Sequence, residues 1–330
     1  MLLLSAVTGP MQLQLLLTND DGPPGPPSPY LVGFLQALLS LPWVANVRVV
    51  IPDKQRSWIG KGFHITEVTR GRFFYPTIAS NGLEGESSPI SRPLKDDELA
   101  EFVLLDATPA TCVNIALFNL YPNAIDLVVS GPNLGRNANF RFVIDLGLLM
   151  PFLITQQPAF ALSSGTLGAA LDAALARTRA IAVSYGTVIH PTPATFFQPA
   201  HVLACQILTQ LVTDDANFKN ADLYNVNIPL IEGLLSKEGL KVAWTHMWRN
   251  NYGQLFKPIP ADTAPLTFKF SPVMQNLIEP DESHVPVGSD GYAMLKVTGW
   301  ASITPLQATF AEPENLHSIP LEERMWKMKL

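Results

Sequence analysis

Leu15-Leu16-Leu17-Thr18-Asn19-Asp20-Asp21-Gly22 is the stretch from which the fold is read. An apolar run of strand character stops at an amide, two adjacent carboxylates and a glycine. In an open α/β sheet, chemistry gathers at the carboxyl ends of the strands. Two neighbouring carboxylates there repel unless a cation lies between them, and hard cations such as Mg²⁺ or Mn²⁺ take oxygen ligands. Asp-Gly also signals a hairpin turn. No return strand follows, however, because Pro23-Pro24-Gly25-Pro26-Pro27 cannot donate to a ladder. The prolines stiffen the acidic loop; reading them as a ligand for a proline-binding domain is the weaker alternative.

Outward from this stretch the chain alternates. Tyr30 to Leu41 is apolar on more than one helical face and reads as a buried helix, and Val47 to Ile51 reads as a buried strand. Together they make a βαβ unit, hence a parallel sheet with right-handed crossovers. Residues 69–95, rich in Gly, Ser and Pro, read as a surface excursion with a hairpin. Phe102 to Leu105 is the next strand. Thr108-Pro109 opens a helix through about Leu120, with a hydroxyl cap and proline in the first turn. Asp126 to Ser130 is a strand followed by the loop Gly131-Pro132-Asn133-Leu134-Gly135-Arg136-Asn137. Ser164 to Ala176 and Thr192 to Val212 are helices; Ala180 to Ser184 and Leu223 to Val226 are strands. Past residue 240 the alternation gives way to short β-prone runs, tryptophans and prolines, which read as an arm of hairpins packed on the core or on another subunit.

Composition narrows the function classes. The 330 residues are 47% hydrophobic and 15% charged, with a net charge of −6 and no basic block. That excludes a sequence-independent grip on duplex nucleic acid. No apolar run is long enough to cross a membrane. Cys112 and Cys205 lie in apolar helical patterns and read as buried thiols, which leans to a reducing, cytoplasmic setting. Met1 to Pro10 lacks a positive n-region and reads as an extension, not a cleaved signal.

Three strands end in polar loops: Asn19-Asp20-Asp21-Gly22, Arg56-Ser57 and Ser130-Gly131-Pro132-Asn133. Parallel order brings them to one edge, where carboxylates, a hydroxyl and an amide form an oxygen-only ligand set. Singly, Ser57 and Asn133 are ordinary loop residues; their shared position after strands is what singles them out. The helix start Ser164-Gly165-Thr166 adds free N–H groups, and its glycine lets a ligand come close.

In order along the chain, these segments resemble the SurE-type nucleotidases, also called survival-protein phosphatases. The match runs through Thr18-Asn19-Asp20-Asp21-Gly22, Pro52-Asp53-Lys54-Gln55-Arg56-Ser57, Thr108-Pro109-Ala110-Thr111-Cys112-Val113, Ser130-Gly131-Pro132-Asn133, Ser164-Gly165-Thr166, Asn225-Val226-Asn227-Ile228-Pro229 and Ser302-Ile303-Thr304-Pro305-Leu306. The Gly22-Pro23-Pro24 form looks most like fungal members. The resemblance implies a Rossmann-like, mostly parallel sheet with helices on both faces and a C-terminal β-hairpin arm. It implies a catalytic core over 12–235, an arm over 236–310 that completes it and contacts a homodimer or homotetramer, and extensions at 1–10 and 311–330.

The resemblance also implies Mg²⁺- or Mn²⁺-dependent hydrolysis of nucleoside 5′- or 3′-monophosphates or other phosphomonoesters. Asp20, Asp21, Ser57 and Asn133 then stand as metal ligands, with Asp20 and Asp21 catalytic. Asn19, Asn137, Ser164, Gly165 and Thr166 stand on the substrate side. One feature departs from the family: Asn133 and Ser164 are 31 positions apart, where a short connection is expected. The apolar stretch 138–158 reads as a lid, an interface or translated non-coding sequence. It leaves a second functional class open, a nucleotide-binding or scaffold protein with impaired catalysis.

Overall fold

The computed structural model describes residues 12–135, 158–187, 192–214, 217–249, 253–259, 266–271, 285–294 and 299–311. Nearly all of the apolar stretch 138–158, Asn137, and the extensions at 1–10 and 312–330 lie outside the described residues.

A ten-stranded sheet runs through the molecule. Its strands are β1 (Leu13–Thr18), β2 (Val44–Pro52), β3 (Gly71–Pro76), β4 (Gly85–Ser88), β5 (Phe102–Leu105), β6 (Leu127–Leu134), β7 (Arg179–Thr187), β8 (Leu223–Leu230), β9 (Val242–Trp244) and β12 (Ala301–Leu306). A separate antiparallel pair is formed by β10 (Phe256–Pro258) and β11 (Phe268–Phe270). Spatial order in the sheet is β4-β3-β5-β2-β1-β6-β7-β8-β12-β9. The inner six strands, β5 to β8, are all parallel, while β3, β4 and β12 enter antiparallel.

Period-two alternation assigns each side chain of the inner strands to one of two cores. Leu15, Leu17, Val49, Val129, Val183 and Val226 face one side, with α1 (Leu31–Leu39) and α4 (Phe197–Thr213). Leu16, Val50, Val128, Ala180 and Ala182 face the other, with α2 (Pro109–Ile115) and α3 (Gly165–Leu175). These central strands are buried on both faces, so they read as continuous apolar runs. The caps match the sequence: Thr108 accepts from the Thr111 N–H and Ser164 from the Leu167 N–H, both at 3.1 Å.

One difference from the sequence reading has a physical cause. β6 continues through Gly131-Pro132 to Leu134, because a register shift between Ser130 and Asn133 accommodates a proline that would otherwise end pairing. The tail, read as an arm of hairpins packed on the core or on another subunit, packs on the core and carries the antiparallel pair β10–β11. Ile303 packs into the α1/α4 core, and β12 pairs with β8 while β9 pairs with β12, so the tail extends the main sheet. The tail also supplies a short helix, α5 (Asp290–Ala293). Among the described residues, no helix is long and apolar enough to cross a membrane, and both cysteines are buried, free thiols.

Candidate active site

From β1 the chain moves to β2 on one side, and from β6 to β7 on the other. The carboxyl ends of β1 and β6 therefore form the topological switch point of the sheet, where open α/β folds place their ligands. Asn19-Asp20-Asp21-Gly22 leaves β1 there. Asn19 holds the loop shut: its amide donates to the Gly22 carbonyl at 2.9 Å and accepts from the Gly22 N–H at 3.0 Å. A further donation reaches the Ser28 hydroxyl at 3.4 Å. The substrate-side role expected for Asn19 thus competes with a loop that already uses both ends of the amide. Gly22 sits at φ +82°, and a Cβ there would lie 3.0 Å from the backbone of Lys54, so only glycine brings the β1 and β2 loops this close.

The two carboxylates are divided between opposite faces. Asp20 turns to α3: one oxygen accepts from the Thr166 hydroxyl at 2.8 Å, and Oδ2 is buried with no partner. Gly165 permits the approach, since a Cβ on it would meet the Asp20 Cβ at 2.7 Å. The first turn of α3 is therefore aimed at Asp20, and Ser164 is occupied as the cap. Asp21 turns to α1, where it accepts from the Tyr30 hydroxyl, from the Leu134 N–H at 3.0 Å and from Gln55 at 3.4 Å.

Both carboxylates are almost fully buried. Burial, then the charge of Asp21, pushes the Asp20 carboxyl up to about 7. Asp21 is raised by burial and pulled back by its three donors. Two carboxylates held this way are poised to gain from a nearby positive charge.

Asn133 reaches the same edge from β6; it is 1% exposed and its Oδ1 has no partner. Arg56 donates its N–H to the Asp20 carbonyl at 2.7 Å, which ties the β2 loop to the acidic loop and places the partly exposed Ser57 beside it. A row of buried polar atoms continues on the α3 face. The Thr18 and Ser130 hydroxyls and both amide atoms of Asn225 lack partners. Thr18 pairs with Ser130 in register, and Asn225 lies one strand further on beyond Ala182.

Buried polar atoms are normally hydrogen-bonded. Orphaned oxygens on Asp20 and Asn133, in an all-oxygen donor set, fit a hard divalent cation. Among the described residues there is no cluster of three or more His, Cys, Asp or Glu able to hold a metal. Such an ion would depend on two carboxylates and neutral oxygens.

The sequence reading did not single out Tyr30, Gln55 or the Leu134 N–H. Tyr30 carried one signal: a buried tyrosine needs a partner for its hydroxyl. The polar row was visible as Thr18, Ser130 and Asn225 breaking otherwise apolar strand faces.

Fold and centre together define a Rossmann-like α/β protein with a paired-carboxylate site at its switch point. The family model described as Survival protein SurE matches residues 15–144 and 157–254, and the chain belongs to that family. The 5′-nucleotidase SurE of Desulforamulus reducens is 28% identical over 298 residues, covering 89% of this chain and 92% of its own. That of Geobacter sulfurreducens is 29% identical over 218 residues, covering 66% and 62%. A Saccharomyces cerevisiae protein named "Probable tubulin–tyrosine ligase PBY1" is 29% identical over 262 residues, covering 74% of this chain. The chain spans only 32% of that yeast relative's length. The crystal structure of the SurE protein from Aquifex aeolicus shares the fold, with a TM-score of 0.59 and 22% identity over 93% of this chain and 98% of its own.

Proposed function

We propose that the chain is a divalent-metal-dependent phosphomonoesterase acting on nucleoside 5′- or 3′-monophosphates, with residues 12–235 as its catalytic core and 236–310 completing it. One observation carries the reading: buried, paired carboxylates at the switch point, with Asp20 Oδ2 and Asn133 Oδ1 left without partners. Family membership and similarity to proteins named 5′-nucleotidase support it.

Asp20, Asp21, Ser57 and Asn133 would hold Mg²⁺ or Mn²⁺. When bound, the ion supplies Lewis acidity, offsetting charge on the phosphoryl oxygens and acidifying a water. The protein's own groups then divide the remaining work. Asp21, gripped by Tyr30, Leu134 and Gln55, is the fixed anionic anchor. Asp20 keeps Oδ2 available to orient the attacking water or take its proton, while Thr166 fixes its other oxygen. The Ser164-Gly165-Thr166 turn acts by placing Asp20, and its remaining N–H groups favour an anion nearby. Water adds to phosphorus, the ester oxygen leaves with a proton, and the products are a nucleoside and inorganic phosphate.

The test is phosphate release by the purified chain from a panel of nucleoside monophosphates with Mg²⁺, Mn²⁺ or EDTA. Metal-dependent, EDTA-sensitive release supports the reading. Equal rates with metal and with EDTA would overturn it.

A further inference from the structure

The loop that carries Ser57 is held at both of its ends. Before Ser57, the Arg56 N–H bonds the Asp20 carbonyl at 2.7 Å; after it, the Gly60 N–H bonds the Ser163 carbonyl, just before α3, at 2.9 Å. The Lys61 ammonium then meets the Asp172 carboxylate of α3 at 2.9 Å, and the Thr108 hydroxyl donates to the Gly62 carbonyl at 2.7 Å. Two glycines permit the close approach. A Cβ on Gly168 would lie 2.2 Å from the Gly60 carbonyl oxygen, and one on Gly60, at φ +58°, would lie 2.7 Å from the Leu162 carbonyl oxygen. The loop therefore rests directly on the backbone of α3.

The ion pair is largely withdrawn from water, with the Asp172 side chain 5% exposed and that of Lys61 28% exposed. The second Asp172 oxygen accepts from the Asn114 amide of α2 at 3.3 Å, and the Lys61 ammonium also lies 4.4 Å from the centroid of the Phe63 ring. A buried ion pair adds little net stability over apolar packing, so stability alone does not account for one here. Its place on α3 is informative. Asp172 comes six positions after Thr166, about 9 Å further along the same helix. Thr166 holds Asp20 at 2.8 Å. One helix thus braces the acidic loop at its first turn and the Ser57 loop further along.

Resting on the metal-dependent reading above, we propose that Lys61, through its ion pair with Asp172, is a positioning residue that sets Ser57 against the paired aspartates and so raises affinity for the divalent cation. Helix α3 is the common frame, and the ion pair keeps the segment carrying Ser57 in register with the segment carrying Asp20 and Asp21.

The experiment is calorimetry with Mn²⁺ alone on the full chain, in wild type, Ser57→Ala, Lys61→Met, Lys61→Arg and the double variant Ser57→Ala/Lys61→Met. Lys61→Met is expected to weaken Mn²⁺ binding about 10- to 100-fold, and Lys61→Arg, which keeps the charge, to recover most of that loss. The double variant should bind Mn²⁺ no more weakly than Ser57→Ala, because Lys61 acts through Ser57. Unchanged affinity in Lys61→Met or in Ser57→Ala overturns the proposal, even if urea stability drops. So does a double variant weakened by the product of the two single losses, the result for independent sites. If wild type binds no Mn²⁺, the metal-dependent reading itself fails and the proposal falls with it; binding in wild type that Lys61→Met leaves intact rejects the proposal alone. Lys61→Met/Asp172→Leu removes both charges at once and covers the case in which Lys61→Met, with a buried carboxylate left unpaired, does not fold. It should lose Mn²⁺ affinity by the same factor, and wild-type affinity in it would reject the role given to the ion pair.

Discussion

Gly165→Ala is a one-methyl change that tests how tightly α3 is set against the acidic loop. Gly165 is not held in a left-handed conformation, and alanine in a helix is intrinsically favoured over glycine by about 1 kcal/mol. Local propensity alone predicts a more stable protein. The structure predicts otherwise. The new Cβ would lie 2.7 Å from the Asp20 Cβ, 3.1 Å from Asp20 Oδ2 and 3.1 Å from Pro109. Restoring ordinary contact requires Asp20 or α3 to move by roughly 0.7 Å or more, and overpacking of this kind costs about 1–3 kcal/mol. Net stability should then change little, because propensity and crowding oppose each other. Asp20 would nonetheless leave its hydrogen bond to Thr166, and a displacement near 1 Å in a catalytic group costs on the order of 100-fold in rate. The expected result is a folded protein, with circular dichroism like wild type, whose metal-dependent phosphate release falls about 100-fold. Near wild-type turnover with an intact fold would show that Asp20's contact with α3 is not part of the working geometry.

Tyr30→Phe removes the buried hydroxyl on Asp21 and leaves the Leu134 N–H at 3.0 Å in place. Losing a hydrogen bond to a charged group costs about 1.5–3 kcal/mol, and groups that orient a ligand typically set metal affinity within 10- to 100-fold. Calorimetry should show Mn²⁺ binding weakened by about that factor, and unchanged affinity would refute the role given to Tyr30. His201, 2% exposed and bonded to the Tyr185 hydroxyl at 2.7 Å, has its pKa lowered by burial from 6.5 to about 4. The unfolded chain therefore binds the extra proton first. The stability His201 confers is whole above about pH 6.5 and is lost as pH falls toward 4, at about 1.4 kcal/mol per unit. Urea denaturation at pH 7 and pH 5 should show wild type losing about 2 kcal/mol more than His201→Gln over that interval, and parallel losses would contradict it.

Much of the fold was legible because it is written in local chemistry. The β-branched and leucine runs at Leu15–Leu17, Val47–Ile51 and Phe102–Leu105 are strands, and the hydroxyl caps at Thr108 and Ser164 start helices where expected. Gly131-Pro132 misled, because a bulge that absorbs a proline is set by the partner strand and leaves no local mark. Which strand the tail would join was not legible, because pairing β12 with β8 depends on an edge that only the assembled sheet presents. In the site, the residue types and their positions after strands brought out Asp20, Asp21 and Asn133. The division of the two carboxylates was not visible. It comes from Tyr30 and Thr166, which reach the acidic loop from separate helices, and such contacts exist only once the helices pack on opposite faces.

The most direct measurement is the rate of phosphate release from AMP with limiting Mn²⁺, in the wild-type chain and in Asp20→Asn and Asp21→Asn. Each change keeps the size of the side chain and removes one charge from the proposed ligand set. Wild type should release phosphate with Mn²⁺ and stop with EDTA, and each variant should fall about 100-fold or more while retaining its fold. A wild-type rate indifferent to EDTA, or a variant with near wild-type turnover at limiting Mn²⁺, would contradict a metal-dependent centre built on these two carboxylates.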